Sequence, residues 1–245
     1  MGAVELDTVV RVAGFPAKHG FSTTTLGSMG LTNAGDPDAV MRRRQELADQ
    51  IGFELHQALM TVQEHGANVA DFHREQPQGG QCVLATDGLA TDVSGQAIVT
   101  YHADCFPLLF AAPQRGVVAA AHAGWRGALA GVATATVRKL RQAYGLKPDD
   151  LSVLIGPGIC VRCYPVGDEI ATRFSSRYGR EEDYLQRGEG EVRLDIEAAL
   201  RLQLVEEGIG PEQIRSMGAC TREQDRWFSH RGGRPGRFLS VIVAP

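Results

Sequence analysis

An α/β fold with mixed strand pairing is what the sequence predicts, and three observations carry that expectation. Short β-rich apolar runs, among them Ile98–Tyr101 continuing into Phe106–Ala112, and Val117–Ala121, alternate with segments whose apolar residues recur at helical spacing. Several connections between runs are too short to hold a crossover helix, so antiparallel pairs are expected beside parallel ones. No composition shift, long linker or internal repeat marks a boundary, and residues 1–245 read as a single domain.

Taken in order, Val4–Val12 alternates as an edge strand, and His19–Thr23 is a strand entering a loop, Thr24–Asn33, rich in Gly, Ser and Thr. Asp36-Pro37 then supplies an N-cap and a first-turn proline for a helix that runs to about Gln50 and is stopped by Gly52. Ala58–Gln63 is a strand ending on Glu64-His65-Gly66, and the polar segment Arg74–Gln81 is a flexible loop. Cys82–Ala85 and Asp87–Thr91 form a short apolar element with a turn, and Pro113–Gly116 joins the two central runs as neighbouring strands. A helix is expected from about Gly127 to Tyr144, ended by Gly145 and Pro148. Leu151–Ile155 runs into the rigid turn Gly156–Cys160, where glycines permit close approach of a ligand or backbone. A helix over Asp168–Tyr178, an exposed charged excursion over Arg180–Glu191, and a helix over Ile196–Glu207 capped by Asp195 follow. Strands near Ile214–Cys220 and Phe238–Val243 close the chain around a polar loop through Trp227–Arg231.

Composition removes several functional classes. A formal net charge of −4 lacks the field that non-specific nucleic-acid binding requires, and no apolar run approaches a membrane span. Glu5, Asp7 and Arg11 interrupt the first twenty residues where a signal peptide would be apolar. Five scattered cysteines, an odd number, suit reduced thiols and a cytoplasmic setting better than a disulfide framework.

The chemistry concentrates on His65, Cys105 and His122, each at the end of an apolar strand and beside a glycine or small turn. Imidazole nitrogen and thiolate are good zinc donors, and three protein ligands leave a fourth position for a water whose pKa the metal lowers. Asp104, adjacent to Cys105, is the candidate to orient or deprotonate that water. Two other accounts stand on the same residues: a metal-free nucleophile, with Cys105 activated by His122, and a set of ordinary core or loop side chains. Cys160-Val161-Arg162-Cys163 is a CxxC without a partner pair, lacks the ligands for a zinc ribbon and reads as structural or incidental. Arg231–Arg237 is a single arginine-glycine loop, suited to phosphate or solvent, and His102 is close enough to Cys105 to support it. Phe21, Tyr101, Phe106, Trp125 and Phe228 have the faces to stack a purine, although core packing is the commoner role.

Six segments together resemble one family: Gln63–Gly66, Ala103–Pro107, His122–Gly127, Gly156–Ile159, Cys163–Gly167 and Phe228–Arg231. Their residues and order are similar to the YfiH/YlmD family, the group labelled polyphenol oxidase or laccase-domain, and the resemblance extends from Phe21-Ser22-Thr23 to Ser240-Val241-Ile242. It implies a single α/β domain with layered mixed β-sheets flanked by helices, and a zinc ion, or alternatively copper, on His65, Cys105 and His122. It also implies phosphorolysis of adenosine, inosine, guanosine and methylthioadenosine, and deamination of adenosine. Purine nucleoside and phosphate are then the partners. Deamination would use zinc-bound hydroxide at C6, with Asp104 or Asp87 moving protons. Thr24 stands where the family usually carries arginine, and Glu64 where it usually carries valine. The phosphate contacts expected in compensation are Arg126, His230, Arg231 and the amides around Gly156–Gly158, with Gly158 central. A copper phenol oxidase and a metal-free Cys-His amide hydrolase acting on a cell-wall precursor are the alternatives. Against the first, oxygen-reducing copper centres draw on more histidines than the seven present can plausibly supply.

Overall fold

Two large sheets lie face to face in a computed structural model that describes residues 3–5, 8–31, 36–74, 80–188 and 190–245. The first sheet has seven strands. In spatial order they are β1 (Ala3–Glu5), β2 (Val9–Val12), β3 (Lys18–Ser22), β16 (Phe238–Val243), β8 (Ala97–His102), β4 (Leu59–Thr61) and β6 (Gln81–Val83). The second has six: β15 (Ile214–Ser216), β11 (Ser152–Ile155), β9 (Phe106–Ala112), β10 (Val117–Ala123), β7 (Gly88–Thr91) and β5 (Val69–Phe72). Both are mixed, with β4 parallel to β6 and β8, and β5 parallel to β7.

Alternation along the strands decides the layers. In β9, Leu109 and Ala111 face the first sheet and pack with Phe21, Ile98 and Ile242, while Leu108 and Phe110 face the helices. The helical side holds α2 (Trp125–Ala130), α3 (Val132–Tyr144), α4 (Asp168–Tyr178) and α5 (Ile196–Glu206). Val132, Val137, Leu140, Phe174 and Leu200 fill the cluster there. The opposite face of the first sheet is covered by α1 (Pro37–Ile51) through Leu47 and Ile51. Asp36 caps α1, its Oδ1 accepting from the amides of Asp38 and Ala39, and Gly52 ends the helix in the left-handed region.

Four expectations need correction. The edge strand over Val4–Val12 is two antiparallel strands, β1 and β2. The helix expected from Gly127 is broken at Gly131, whose φ of +87° ends α2 before α3 begins. The run Ile98–Ala112 is divided at Ala103–Cys105, and its halves lie in different sheets, as do β6 and β7. The excursion over 180–191 is partly folded: β13 (Leu185–Gly188) pairs with β14 (Glu191–Leu194), to which β12 (Pro165–Val166) adds a third strand. Burial of Tyr184 and Leu185 explains this, because Tyr184 turns its hydroxyl to the Phe174 and Gly179 carbonyls. Parts of the expected loops, residues 32–33 and 75–79, lie outside the described residues. No helix among the described residues is long and apolar enough to cross a membrane.

Leu109 is fully buried between the two sheets. Leu109→Ala is expected to lower the unfolding free energy by about 2–5 kcal/mol, read from denaturant titration with an unchanged m-value.

Candidate active site

The parallel strands of each sheet make the chain cross from the first sheet to the second three times at one end. The β4–β5, β6–β7 and β8–β9 connections are those crossings, and they carry His65, Asp87 and Cys105 respectively. His122 reaches the same end from β10, where it is paired in register with Pro107.

Asp87 fastens the first crossing to β10. Its carboxylate accepts from the amides of Glu64, His65 and Gly66 at 3.1, 3.0 and 2.7 Å, and lies 2.9 Å from His122 Nδ1. The His122 amide donates to the Asp87 carbonyl at 2.7 Å. These bonds hold His65 at φ +62°, a conformation that β-carbon-bearing residues seldom adopt. They also direct His122 Nε2 away from Asp87. The result brings together one ligand atom each from His65, Cys105 and His122, all within 4.8 Å of one another. Gly124 completes the cradle, since a Cβ there would lie 2.7 Å from Cys105 Sγ.

Two imidazoles, one thiolate and a carboxylate behind one imidazole make a donor set that fits a borderline metal ion with a coordination position left over. Without a metal the same atoms form an ion pair. Burial alone would raise the Cys105 thiol, but the charge and hydrogen bond of His122, with help from His65, pull it down to about 6. Burial works against protonated His122 too, and the charges and hydrogen bonds of Cys105 and Asp87 lift it to about 9. His102 is buried, which holds its pKa well below the usual imidazole range. Its Nδ1 lies 3.1 Å from the Cys105 carbonyl and its Nε2 2.8 Å from Thr100 Oγ1, so a neutral ring supports the Cys105 backbone.

Asp104 stands on the other side of the crossing, at φ +85°. Its Oδ1 accepts from the Thr221 and Ser229 hydroxyls at 2.7 and 2.6 Å, and its Oδ2 from the Arg231 amide at 2.7 Å. That carboxylate therefore organises the loop carrying His230 and Arg231, both exposed. The Arg231 guanidinium lies 5.0 Å from the Tyr164 ring centroid, and Arg126 sits 4.6 Å from the Trp125 ring. Burial pushes the Tyr164 phenol up to about 12, opposed by Arg231 and Arg126 and reinforced by Cys105 and Asp104. Both arginines thus act electrostatically on the same neighbourhood as the thiol.

Gly158 does not fill the phosphate-binding role expected of it. Its amide donates to the Ala219 carbonyl at 3.1 Å, the Gly156 amide to Pro107 and the Ile159 amide to Asp104, so the turn has spent these donors on the fold. Gly158 is required for a different reason: a Cβ there would lie 2.4 Å from the Phe106 ring. Among the aromatic candidates, Phe21, Phe106 and Phe228 belong to the core, whereas Trp125 is only partly buried. The pairing of Asp104 with Thr221 and Ser229 has no sign in the sequence, because hydroxyls 117 and 125 residues away give no local mark of their partner.

Fold and site together define an α/β protein with a His/Cys/His centre at one end of its two sheets, buried at His122 and open to the surface at His65, with arginines at its margin. Residues 12–245 match the family described as multi-copper polyphenol oxidoreductase laccase, and the chain belongs to that family, the YfiH/YlmD group. It is 34% identical over 244 residues to purine nucleoside phosphorylase YlmD of Geobacillus stearothermophilus, covering 94% of this chain and 89% of that one. It is 32% identical over 213 residues to adenosine deaminase RL5 from an unknown prokaryotic organism, covering 83% and 81%. The crystal structure of YlmD from G. stearothermophilus superposes with a TM-score of 0.90 at 31% identity, covering 98% of this chain and 97% of that one.

In metal-stripped protein, alkylation of Cys105 is expected to rise through pH about 6, against about 8.5 for a free thiol. Asp87→Asn should move that midpoint upward, because it removes the carboxylate that favours protonated His122; peptide mapping separates Cys105 from exposed Cys82.

Proposed function

We propose that the protein is a zinc-dependent purine nucleoside phosphorylase that also deaminates adenosine, both reactions using the pocket around His65, Cys105 and His122. The single observation behind this reading is the convergence of those three donors beside Arg126 and Arg231. Relatives bearing a phosphorylase and a deaminase name, alike over most of their length, support it.

His65, Cys105 and His122 would hold the zinc, which when bound supplies Lewis acidity at its remaining position. The chain's own part is mostly placement. Asp87 fixes the His122 ring and the His65 turn, so neither ligand has to be reordered when substrate enters. Arg126 and Arg231 provide fixed positive charge for phosphate, whose oxygen replaces the purine at C1′ to give ribose 1-phosphate and free base. His230, next to Arg231 and exposed, is the further candidate phosphate contact. Asp104 acts as a positioning group, keeping the Ser229–Arg231 segment against the site through two hydrogen bonds and Thr221 through a third. For deamination, water is added at C6 and ammonia leaves, giving inosine without any need for the arginines.

Copper oxidation, raised by the family description, has little to work with. Of the seven histidines, only His65 and His122 join a group able to hold a metal among the described residues. His102 has both nitrogens engaged, and His19 bonds the Val12 amide and the Ala17 carbonyl. An oxygen-reducing centre of several coppers takes more imidazoles than this.

Purified protein incubated with adenosine, with and without phosphate and with and without a chelator, decides the reaction when products are separated by chromatography. Adenine and ribose 1-phosphate are expected only with phosphate, inosine in either case, and neither after chelation; products that persist undiminished in metal-free protein would overturn zinc dependence. Arg126→Ala is expected to raise KM for phosphate by roughly 10–100-fold, the loss of a charged hydrogen bond, while leaving deamination largely intact.

A further inference from the structure

The CxxC at Cys160–Cys163 does have a partner pair, brought to it by the fold from 60 residues away. Cys220-Thr221-Arg222-Glu223 repeats the spacing with a carboxylate in the last place. One ligand atom from each of Cys160, Cys163, Cys220 and Glu223 lies within 4.8 Å of the others. Cys160 Sγ is 3.6 Å and Cys163 Sγ 3.5 Å from Glu223 Oε1. A tetrahedral zinc with ordinary Zn–S and Zn–O lengths sets its sulfur and oxygen ligands about 3.6 Å apart. Two of the separations therefore already have the coordinated value.

We propose that Cys160, Cys163, Cys220 and Glu223 form a second, closed metal site that takes a zinc ion in a structural role. Three thiols lose their protons on binding, and the ion takes the place of those protons. Cys220 Sγ accepts the Cys160 amide at 3.4 Å. It also receives the amides of Arg222 and Glu223. A sulfur receiving amides two and three residues further on is a turn shaped to present a thiolate. Arg162 offsets the negative charge of four anionic ligands, its Nη2 lying 2.9 Å from Glu223 Oε2 and its Nε and Nη2 3.2 and 3.1 Å from Oε1, the oxygen that both thiols approach. Cys220 is buried, while Cys160 and Cys163 are partly open. A cleft of about 290 Å³ bordered by Cys160, Arg162, Glu197 and Cys220 supplies an entry path.

Such an ion would join the 158–164 turn to the 220–223 loop, and both touch Asp104. The Ile159 amide donates to the Asp104 carbonyl and the Thr221 hydroxyl to its carboxylate. The second site thus braces the wall of the first without sharing a ligand with it.

The test uses the full-length chain with the first site disabled by His65→Ala and Cys105→Ser. After zinc loading and dialysis under reducing conditions, about one equivalent of zinc is expected, and cobalt in its place should give a thiolate-to-cobalt charge-transfer band. Adding Cys160→Ser and Cys163→Ser should abolish both signals. Glu223→Gln, an exposed change that leaves the core alone, should weaken zinc binding by more than the roughly 10–100-fold seen when a mere supporting hydrogen bond is lost. Absence of zinc and of the cobalt band from the His65→Ala, Cys105→Ser protein would overturn the proposal. So would recovery of any two of the three cysteines as a disulfide under those conditions, or an unaltered zinc affinity in Glu223→Gln.

Discussion

The Asp87 carboxylate is the interaction on which the candidate centre rests. It is 1% exposed, yet it satisfies three consecutive amides and an imidazole, so its burial is compensated and its charge is held where it is needed. Burial would by itself raise its pKa, but the His122 and backbone hydrogen bonds win and lower it. A neutral isostere would keep the shape and lose the field. Every feature of the first ligand set, from the left-handed turn at His65 to the direction of His122 Nε2, follows from that one anion.

The sequence made the ligand triplet readable for a physical reason: each member interrupts or closes an apolar strand, where polarity has to be explained. The runs ending at Tyr101, beginning at Phe106 and ending at Ala121 were visible by the same logic, and β9 and β10 pair across Pro113–Gly116. What could not be seen was which sheet a strand would join. Ile98–Tyr101 and Phe106–Ala112 look like one apolar stretch, and only the positive φ at Asp104 shows that the chain turns from one sheet to the other there. Asp87 was readable as an acid near the chemistry but not as an anchor, because its partners at residues 64–66 are set by a crossing. Gly158 misled for the opposite reason. A glycine-rich turn after a strand suggests free amides, and here packing against Phe106 and pairing with Ala219 use the turn up.

Asp104 divides the work with Asp87. One acid shapes the ligands from within the crossings, and the other reaches residues far along the chain to bring an arginine-bearing loop alongside. Asp104 also binds through its carbonyl to the turn after β11, so it links three separate segments. Both acids act by placing other residues, which accounts for two buried carboxylates beside a centre proposed to take phosphate.

The place of β16 in the first sheet has a consequence for how the chain comes together during synthesis. Phe238–Val243 lies between β3 and β8, pairing with both. Strands made early on the ribosome therefore wait with open edges until residues 238–243 have emerged. The nascent chain can build the helix-covered sheet first, but the β1–β3 and β8–β4–β6 parts of the other sheet stay apart until then, each with one edge open to wrong partners.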